Sequence, residues 1–483
     1  QQTKKTVYGE KTVEASMPGL CRKAAAEGAV LLKNQGNILP LRKGAAVAVF
    51  GRVQLDWFYV GYGSGGDVNP PYTVNLAEGL KNAGIPLDQP LLDTYVQWSA
   101  ANPPNMGFWG HWPRYFKEMP LEDSLVQGAA SRCQTALVVI GRAAGESREN
   151  ALEPGSYYLT PEEKAMLSQV TKAFAHTVVL INAGGILDLS WLEEYPLDGA
   201  LFLWQGGMES GNAAADVLTG KVDACGHLTD TVAYRYEDYP SAKDFLGMEF
   251  NCYTEDVYVG YRYFETFAPD AVQFPFGFGL SYTSFAMEAQ SVALCGDNVI
   301  VAALVKNTGS RPGKEVVQAY VDPPQGKLGK PLRNLAAFQK TRLLQPGESQ
   351  RLATAAASFD DGGATGPKDA WVLEPGAYQV YVGNNVRDAS LAGSYSVPEL
   401  RVIRQLEEVC PPSPEHPFQR MANHQGKVAF QDVPTATRSL KQRVLERLPE
   451  EVPFTGDKGI SFQDVALGRS SLDDFIAQLT PED

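Results

Sequence analysis

Four apolar runs limit what this chain can fold into. They are AAVAVFG (residues 45–51), TALVVIG (135–141), TVVLINAGG (177–185) and DGALFLWQGG (198–207). None alternates polar with apolar side chains, so each reads as a strand buried on both faces, as in a parallel sheet. Helical segments lie between them. In TPEEKAMLSQVTKAFA (160–175), Thr160 is placed to cap, Pro161 opens the first turn, and Glu162 and Glu163 favour the positive end of the helix. MESGNAAADVLTGK (208–221) reads as another helix, stopped by Gly220. Strand–helix alternation from about Cys21 to Tyr234 predicts a doubly wound α/β domain with a mainly parallel sheet.

With 483 residues the chain is too long for one core. The α/β pattern is expected over residues 1–240. Residues 241–285, with YTEDVYVGYRYFETF and VQFPFGFGLSYTSF, are aromatic and irregular and read as a linker pinned by its rings. Over 286–400 the period changes to two. VIVAALVKNTG, GKEVVQAYVDP, ESQRLATAAA and GAYQVYVGNN are strands separated by turn signals, which predicts a β-sandwich. Residues 401–483 read as an extended connector. Near its end Ser471 is a cap with Asp474 three residues on, and the closing TPED repeats the grammar of residues 160–163. One turn of helix is unfavourable alone, so the chain is expected to be part of a longer protein.

Composition narrows the partners. A formal net charge of −14 disfavours nucleic acid and anionic membrane, both of which want a basic surface. No apolar run reaches the length of a membrane-spanning helix and no signal peptide is visible, which leans towards the cytoplasm over the periplasm or secretion. The six cysteines form no CxxC pair and read as mostly free, buried thiols, while the five histidines lack ligand spacing. Neither a metal nor a cofactor is expected.

Two loops carry candidate chemistry. GRAAGESREN places Glu146 just beyond a buried strand, at the edge where open α/β sheets bind ligands. A solvated loop carboxylate is the plain alternative. GYGSGGDVNPPYT also follows a strand, and Gly61, Gly63, Gly65 and Gly66 would let backbone approach a ligand. It lacks the GK[ST] and GxGxxG patterns of nucleotide loops, and Ser64 lacks the spacing of a nucleophile elbow. Trp57 and Tyr62 could stack on a sugar or be half-buried loop aromatics. Trp204 could be core. Glu149, Glu153 and Tyr158 could line the mouth of a site or be solvated.

Read together, six blocks resemble glycoside hydrolase family 3, in family order: AAAEGAVLLKNQGNILPL, GYGSGGDVNPPYT, GRAAGESREN, LFLWQGGMESGNAAADVLTGKVDACGHL, VYVGYRYFETF and FPFGFGLSYTSF. The resemblance spans about Cys21 to Val397. It implies an (α/β)6 sandwich followed by a fibronectin-III-like domain, and retaining, exo-acting cleavage that releases terminal β-D-glucose. Gly145-Glu146 matches the family's acid/base motif, so Glu146 is implied as general acid/base and Ser64 as a substrate contact. The family nucleophile is an aspartate on a (β/α)8 barrel, and no such barrel is found. The implied partners are therefore a barrel, as second chain or continuation, and an oligosaccharide or aryl β-glucoside. A homo-oligomer is left open. The closing segment resembles the approach to the barrel in members of reversed domain order. Two departures stand out: SRENA where many members carry Asp-Arg, and DACGHLTDT in place of Pro-Ser-Gly-Lys-Leu-Pro. Same-family β-xylosidase or β-N-acetylglucosaminidase activity, or a non-catalytic carbohydrate-binding module, are the alternatives.

Overall fold

The computed structural model describes residues 16–483 except 63–67, 69, 109–110, 146–150, 245–248, 296–297, 358–360, 363–369, 407–410, 437–438, 449 and 481–482. The first part of the chain forms β1 (Val30–Asn34), β2 (Val47–Phe50), β3 (Thr135–Arg142), β4 (His176–Ala183) and β5 (Gly199–Phe202). They lie in one sheet in the order β1-β5-β4-β3-β2. Strands β2 to β5 are parallel, and β1 runs antiparallel to β5 at the edge. Among the described residues these helices accompany them: α1 (Met17–Gly28), α2 (Leu76–Asn82), α3 (Gln89–Ala101), α4 (Asp123–Arg132), α5 (Pro161–Ala173), α6 (Trp191–Glu194) and α7 (Ser210–Leu218).

The unbroken apolar strands have a direct cause. Ala136, Val138 and Ile140 of β3 join one core with residues of α3, α4, α5 and α6. Their neighbours Leu137 and Val139 join a second core with residues of α2 and α7. Alternate side chains thus enter opposite cores, so both faces favour apolar residues. Burying each Val or Leu contributes roughly 1.5–3 kcal/mol. Helix α5 starts as expected: Thr160 accepts from the Glu163 N–H, Glu163 accepts from the Thr160 N–H, and Pro161 is in the first turn.

The aromatic stretch is more regular than expected. It contains β7 (Val272–Phe274), which pairs with β6 (Val232–Ala233) of the preceding part, and helix α8 (Tyr261–Phe267), whose Phe264 is fully buried. Rings at Tyr258, Tyr263 and Phe267 cluster there, and aromatic residues on more than one face of the helix obscure its period.

A β-sandwich follows. Its strands are β8 (Phe285–Cys295), β9 (Asn298–Asn307), β10 (Val316–Asp322), β11 (Asn334–Lys340), β12 (Ser349–Ala357), β13 (Asp361–Gly362), β14 (Ala370–Leu373), β15 (Gly376–Gly383), β16 (Ser390–Val397) and β17 (Arg401–Gln405). One sheet is ordered β11-β10-β15-β16, another β12-β9-β8, and a third β13-β14-β17. Val299, Val301 and Val305 of β9 meet Val317, Ala319 and Val321 of β10 and Tyr378, Val380 and Val382 of β15. Every second residue faces inward, which is the origin of the period two.

The DACGHLTDT segment joins the α/β part to this sandwich. The Asp223 carboxylate accepts from Ser281 Oγ (2.8 Å), the Tyr282 N–H (2.9 Å) and the Lys314 N–H (3.3 Å), and His227 Nε2 meets Glu315 at 3.1 Å. Its departure from the family pattern therefore falls on an anchoring element. The expectation of mostly buried thiols needs correction: Cys133 and Cys225 are buried, but Cys21 and Cys252 are only partly so and Cys295 is exposed; Cys410 lies outside the described residues.

A hairpin of β18 (Gln419–His424) and β19 (Lys427–Asp432) follows, with residues 419–431 belonging to the main unit. Residues 408–418 and 432–483 form a separate unit with α9 (Leu440–Glu446), α10 (Phe462–Ala466) and α11 (Leu472–Ile476). Ser461 and Ser471 cap the last two, and the Phe462 and Phe475 rings pack 5.8 Å apart. At TPED the Thr480 N–H donates to the Asp483 carboxylate (2.8 Å), the back-bond of a capping box.

Candidate active site

Glu146 and Ser64 both lie outside the described residues, but the chain on either side of each is described. Strand β3 ends at Arg142, and Gly145 forms a bridge with Tyr62, whose N–H donates to the Ala144 carbonyl at 2.7 Å. Gly145 has φ +112°, and a Cβ there would run into the Tyr62 backbone. Only glycine allows this crossing. The residues leading to Glu146 and to Ser64 therefore leave the carboxyl edge of the sheet side by side.

Both loops are also held where they return. Arg142 is buried and forms a two-pronged ion pair with Glu163 (2.7 and 2.8 Å). Its remaining N–H groups donate to the carbonyls of Gly141 (2.7 Å), Ser156 (2.9 Å) and Tyr158 (3.1 Å), the last two of which fix the chain after residue 150. Beyond the glycine-rich loop, Tyr72 OH donates to Glu209 (2.7 Å) and the Val74 N–H to the Met208 carbonyl (2.9 Å). Fully buried Asn182, at the end of β4, donates to the carbonyls of Phe58 (2.9 Å) and Trp204 (2.7 Å) and accepts from the Phe58 N–H (2.9 Å).

The aromatic candidates resolve differently. Trp57 is buried and donates from Nε1 to Ser210 Oγ (2.8 Å), and Tyr62 is buried with its ring stacked on Trp112. Both also line a cavity of about 250 Å³ with Tyr59, Asn75 and Glu78. Trp204 is partly buried, donates to the Gly28 carbonyl (3.0 Å) and adopts φ +53°, rare for a bulky residue. Glu153 pairs with Arg114 at 2.5 Å, Tyr158 is half-buried, and Glu149 lies outside the described residues. Among the described residues no group of three or more His, Cys, Asp or Glu could hold a metal ion, and no helix is long and apolar enough to cross a membrane.

Comparison with known proteins fits this architecture. Residues 29–282 match the glycosyl hydrolase family 3 C-terminal domain. A β-glucosidase of Ruminococcus albus is 46% identical over 95% of this chain. The chain belongs to glycosyl hydrolase family 3. Residues 315–386 match a fibronectin type III-like domain. β-Glucosidase A of Butyrivibrio fibrisolvens is 36% identical over 95% of this family 3 chain. The crystal structure of a β-glucosidase from Paenibacillus barengoltzii superposes with a TM-score of 0.92 at 45% identity over 98% of this chain. β-Glucosidase 3B of Thermotoga neapolitana, solved with α-D-glucose, gives 0.72 at 35% identity over 79%. This chain spans only part of these proteins: 49% and 63% of the two relatives and 54% of each solved chain.

Sequence reasoning missed Arg142, Asn182 and the buried Glu118. The Glu118 carboxylate accepts from the N–H groups of Arg52 and Met119, both at 2.8 Å, yet burial pushes its pKa from 4.5 up to about 7. A carboxyl that holds its proton more tightly when folded contributes stability below pH 4.5, and loses it as the pH rises to 7. The loss amounts to up to about 3 kcal/mol. Glu118→Gln is expected to flatten the fall of the urea midpoint between pH 5 and 7; parallel curves for both proteins would count against this origin.

Proposed function

We propose that this chain supplies the acid/base half of the active site of a retaining β-glucosidase. The bridge between Gly145 and Tyr62 carries the reading, because it roots the Glu146 and Ser64 loops at one point on the ligand-binding edge of the sheet. The names of the relatives support the same activity.

In a retaining mechanism two carboxyl groups stand about 5–5.5 Å apart. A nucleophile on the (β/α)8 portion attacks the anomeric carbon and the glycosidic C–O bond breaks. Glu146 gives its proton to the departing oxygen. Water then attacks the glucosyl–enzyme carbon, its proton passes to Glu146, and the bond to the nucleophile breaks. Glu146 must therefore be neutral first and anionic second, which requires a pKa raised by apolar surroundings and by the neighbouring nucleophile.

Ser64 would bond a hydroxyl of the glucose being cleaved off. Ser64→Ala in the complete enzyme is expected to cost about 1–3 kcal/mol of transition-state binding with the thermal midpoint unchanged. A sugar-bound structure with this loop more than about 10 Å from the ligand, some three hydrogen-bond lengths, would remove Ser64 from the site.

A further inference from the structure

Another cavity shares no lining residue with the loops rooted at Gly145 and Tyr62. It is built where three segments of the main unit meet: residues 256–258 of the aromatic stretch, residues 327–331 between β10 and β11, and the hairpin β18–β19. A two-stranded hairpin has little stability alone, and this one is fastened on both sides. The Met421 N–H donates to the Thr254 carbonyl (2.6 Å), and Asn423 Nδ2 donates to Gln325 Oε1 (3.2 Å). Gly329 turns with φ +62°, and a Cβ there would lie 3.0 Å from the Asn423 carbonyl. Between the hairpin and the sandwich lies a cavity of about 320 Å³. This is the lower end of the roughly 300–1,000 Å³ typical of small-ligand pockets.

Its walls carry donors and acceptors held in place. The Arg420 guanidinium meets Asp256 through Nη1 (3.1 Å) and donates from Nε (2.8 Å) and Nη2 (2.9 Å) to the Gln431 side-chain oxygen. Lys330 also lines the cavity and is only 2% exposed. Its ammonium has three donors, yet it reaches only Tyr378 OH at 3.4 Å and the Glu374 carboxylate at 3.5 Å, both long. A buried ammonium so thinly bonded favours a further oxygen atom. At the mouth, Lys327 and His424 are exposed, and the Phe430 ring is 56% exposed.

We propose that this cavity is a saccharide site whose ligand is a neutral β-glucan chain, with one pyranose over Phe430 and its hydroxyls on Arg420, Asp256, Gln431 and Lys330. The inner charges are balanced in pairs, Arg420 with Asp256 and Lys330 with Glu374, so they favour a ligand that both donates and accepts over a free ion. The apolar C–H face of a pyranose suits a flat exposed ring, which is ordered at little cost. The site stands on the hairpin geometry and not on the role of Glu146; the choice of a β-glucan rests on the β-glucosidase reading.

The test is native electrophoresis of this chain joined to its (β/α)8 portion, in gels with and without a soluble mixed-linkage β-glucan. Phe430→Ala and Glu146→Ala are run beside the unchanged protein. Phe430 is exposed, so its truncation leaves the core intact, and an unchanged thermal midpoint checks this. The glucan is expected to retard the unchanged protein and Glu146→Ala alike. Phe430→Ala is expected to raise the apparent dissociation constant roughly tenfold, with kcat/KM for an aryl β-glucoside within about twofold of the unchanged value. No retardation of the unchanged protein, or equal retardation of Phe430→Ala, overturns the site. So does a parallel loss of aryl β-glucoside hydrolysis in Phe430→Ala, which would make the retardation a property of the active site. Failure of the β-glucosidase reading shows separately, as absence of aryl β-glucoside hydrolysis by the unchanged protein.

Discussion

Glu146→Ala in the complete enzyme is expected to slow hydrolysis of glucosides with poor leaving groups by about 10²–10⁴-fold, the usual contribution of a positioned acid or base. The effect should depend on the leaving group. An alkoxide departs only with a proton, whereas an activated aryl oxide can leave without one, so activated aryl glucosides should suffer less at the first step. Their second step still lacks a base. Azide needs no base and fits where a carboxylate has been removed, so added azide should partly restore turnover and yield a glucosyl azide. The pH profile should lose the limb set by the acid. The surroundings make the experiment clean: Gly145 is fixed to Tyr62 and the return of the loop is fixed by Arg142 and Glu163, none of which the substitution alters. An unchanged rate with an unchanged profile would dismiss Glu146.

How far the sequence reveals this arrangement depends on the distance over which each feature is determined. The four buried strands are written locally, because burial on both faces favours an unbroken apolar run, as in ALVVI of β3. Helix α5 is equally local: cap, proline and first-turn glutamates lie within four residues. Edge strand β1, VLLKN, is short and polar at its end, and its antiparallel pairing with β5 involves residues some 170 positions away. Helix α8 carries rings at Tyr261, Tyr263, Phe264 and Phe267, spread over more than one face, so no single stripe stands out. In the site, Gly145-Glu146 is legible as a motif, while the supports are not. Arg52 reaches Asn102 and Lys117, and Asn182 reaches Phe58 across 124 positions. In the sequence nothing near Arg52 or Asn182 names these distant partners. Tyr62 and Trp57 suggest a ligand by standing near a glycine-rich loop, and only the structure supplies their packing partners Trp112 and Ser210.

The second large effect concerns completeness of the site. The chain spans about half the length of the Ruminococcus albus relative, and in the proposed mechanism the nucleophile belongs to a (β/α)8 portion outside residues 1–483. That portion should cover the sheet edge carrying residues 61–71 and 141–158. An active site shared across the junction should bury more than the ~600–1,500 Å² of ordinary domain contacts. Retaining chemistry needs both carboxyl groups, so one half alone should be inert rather than slow. The most direct measurement is aryl β-glucoside hydrolysis by purified residues 1–483, of confirmed mass, before and after addition of the (β/α)8 portion. The expected result is a folded protein with no hydrolysis, and activity on addition. Robust hydrolysis by residues 1–483 alone would contradict it and place the nucleophile within this chain.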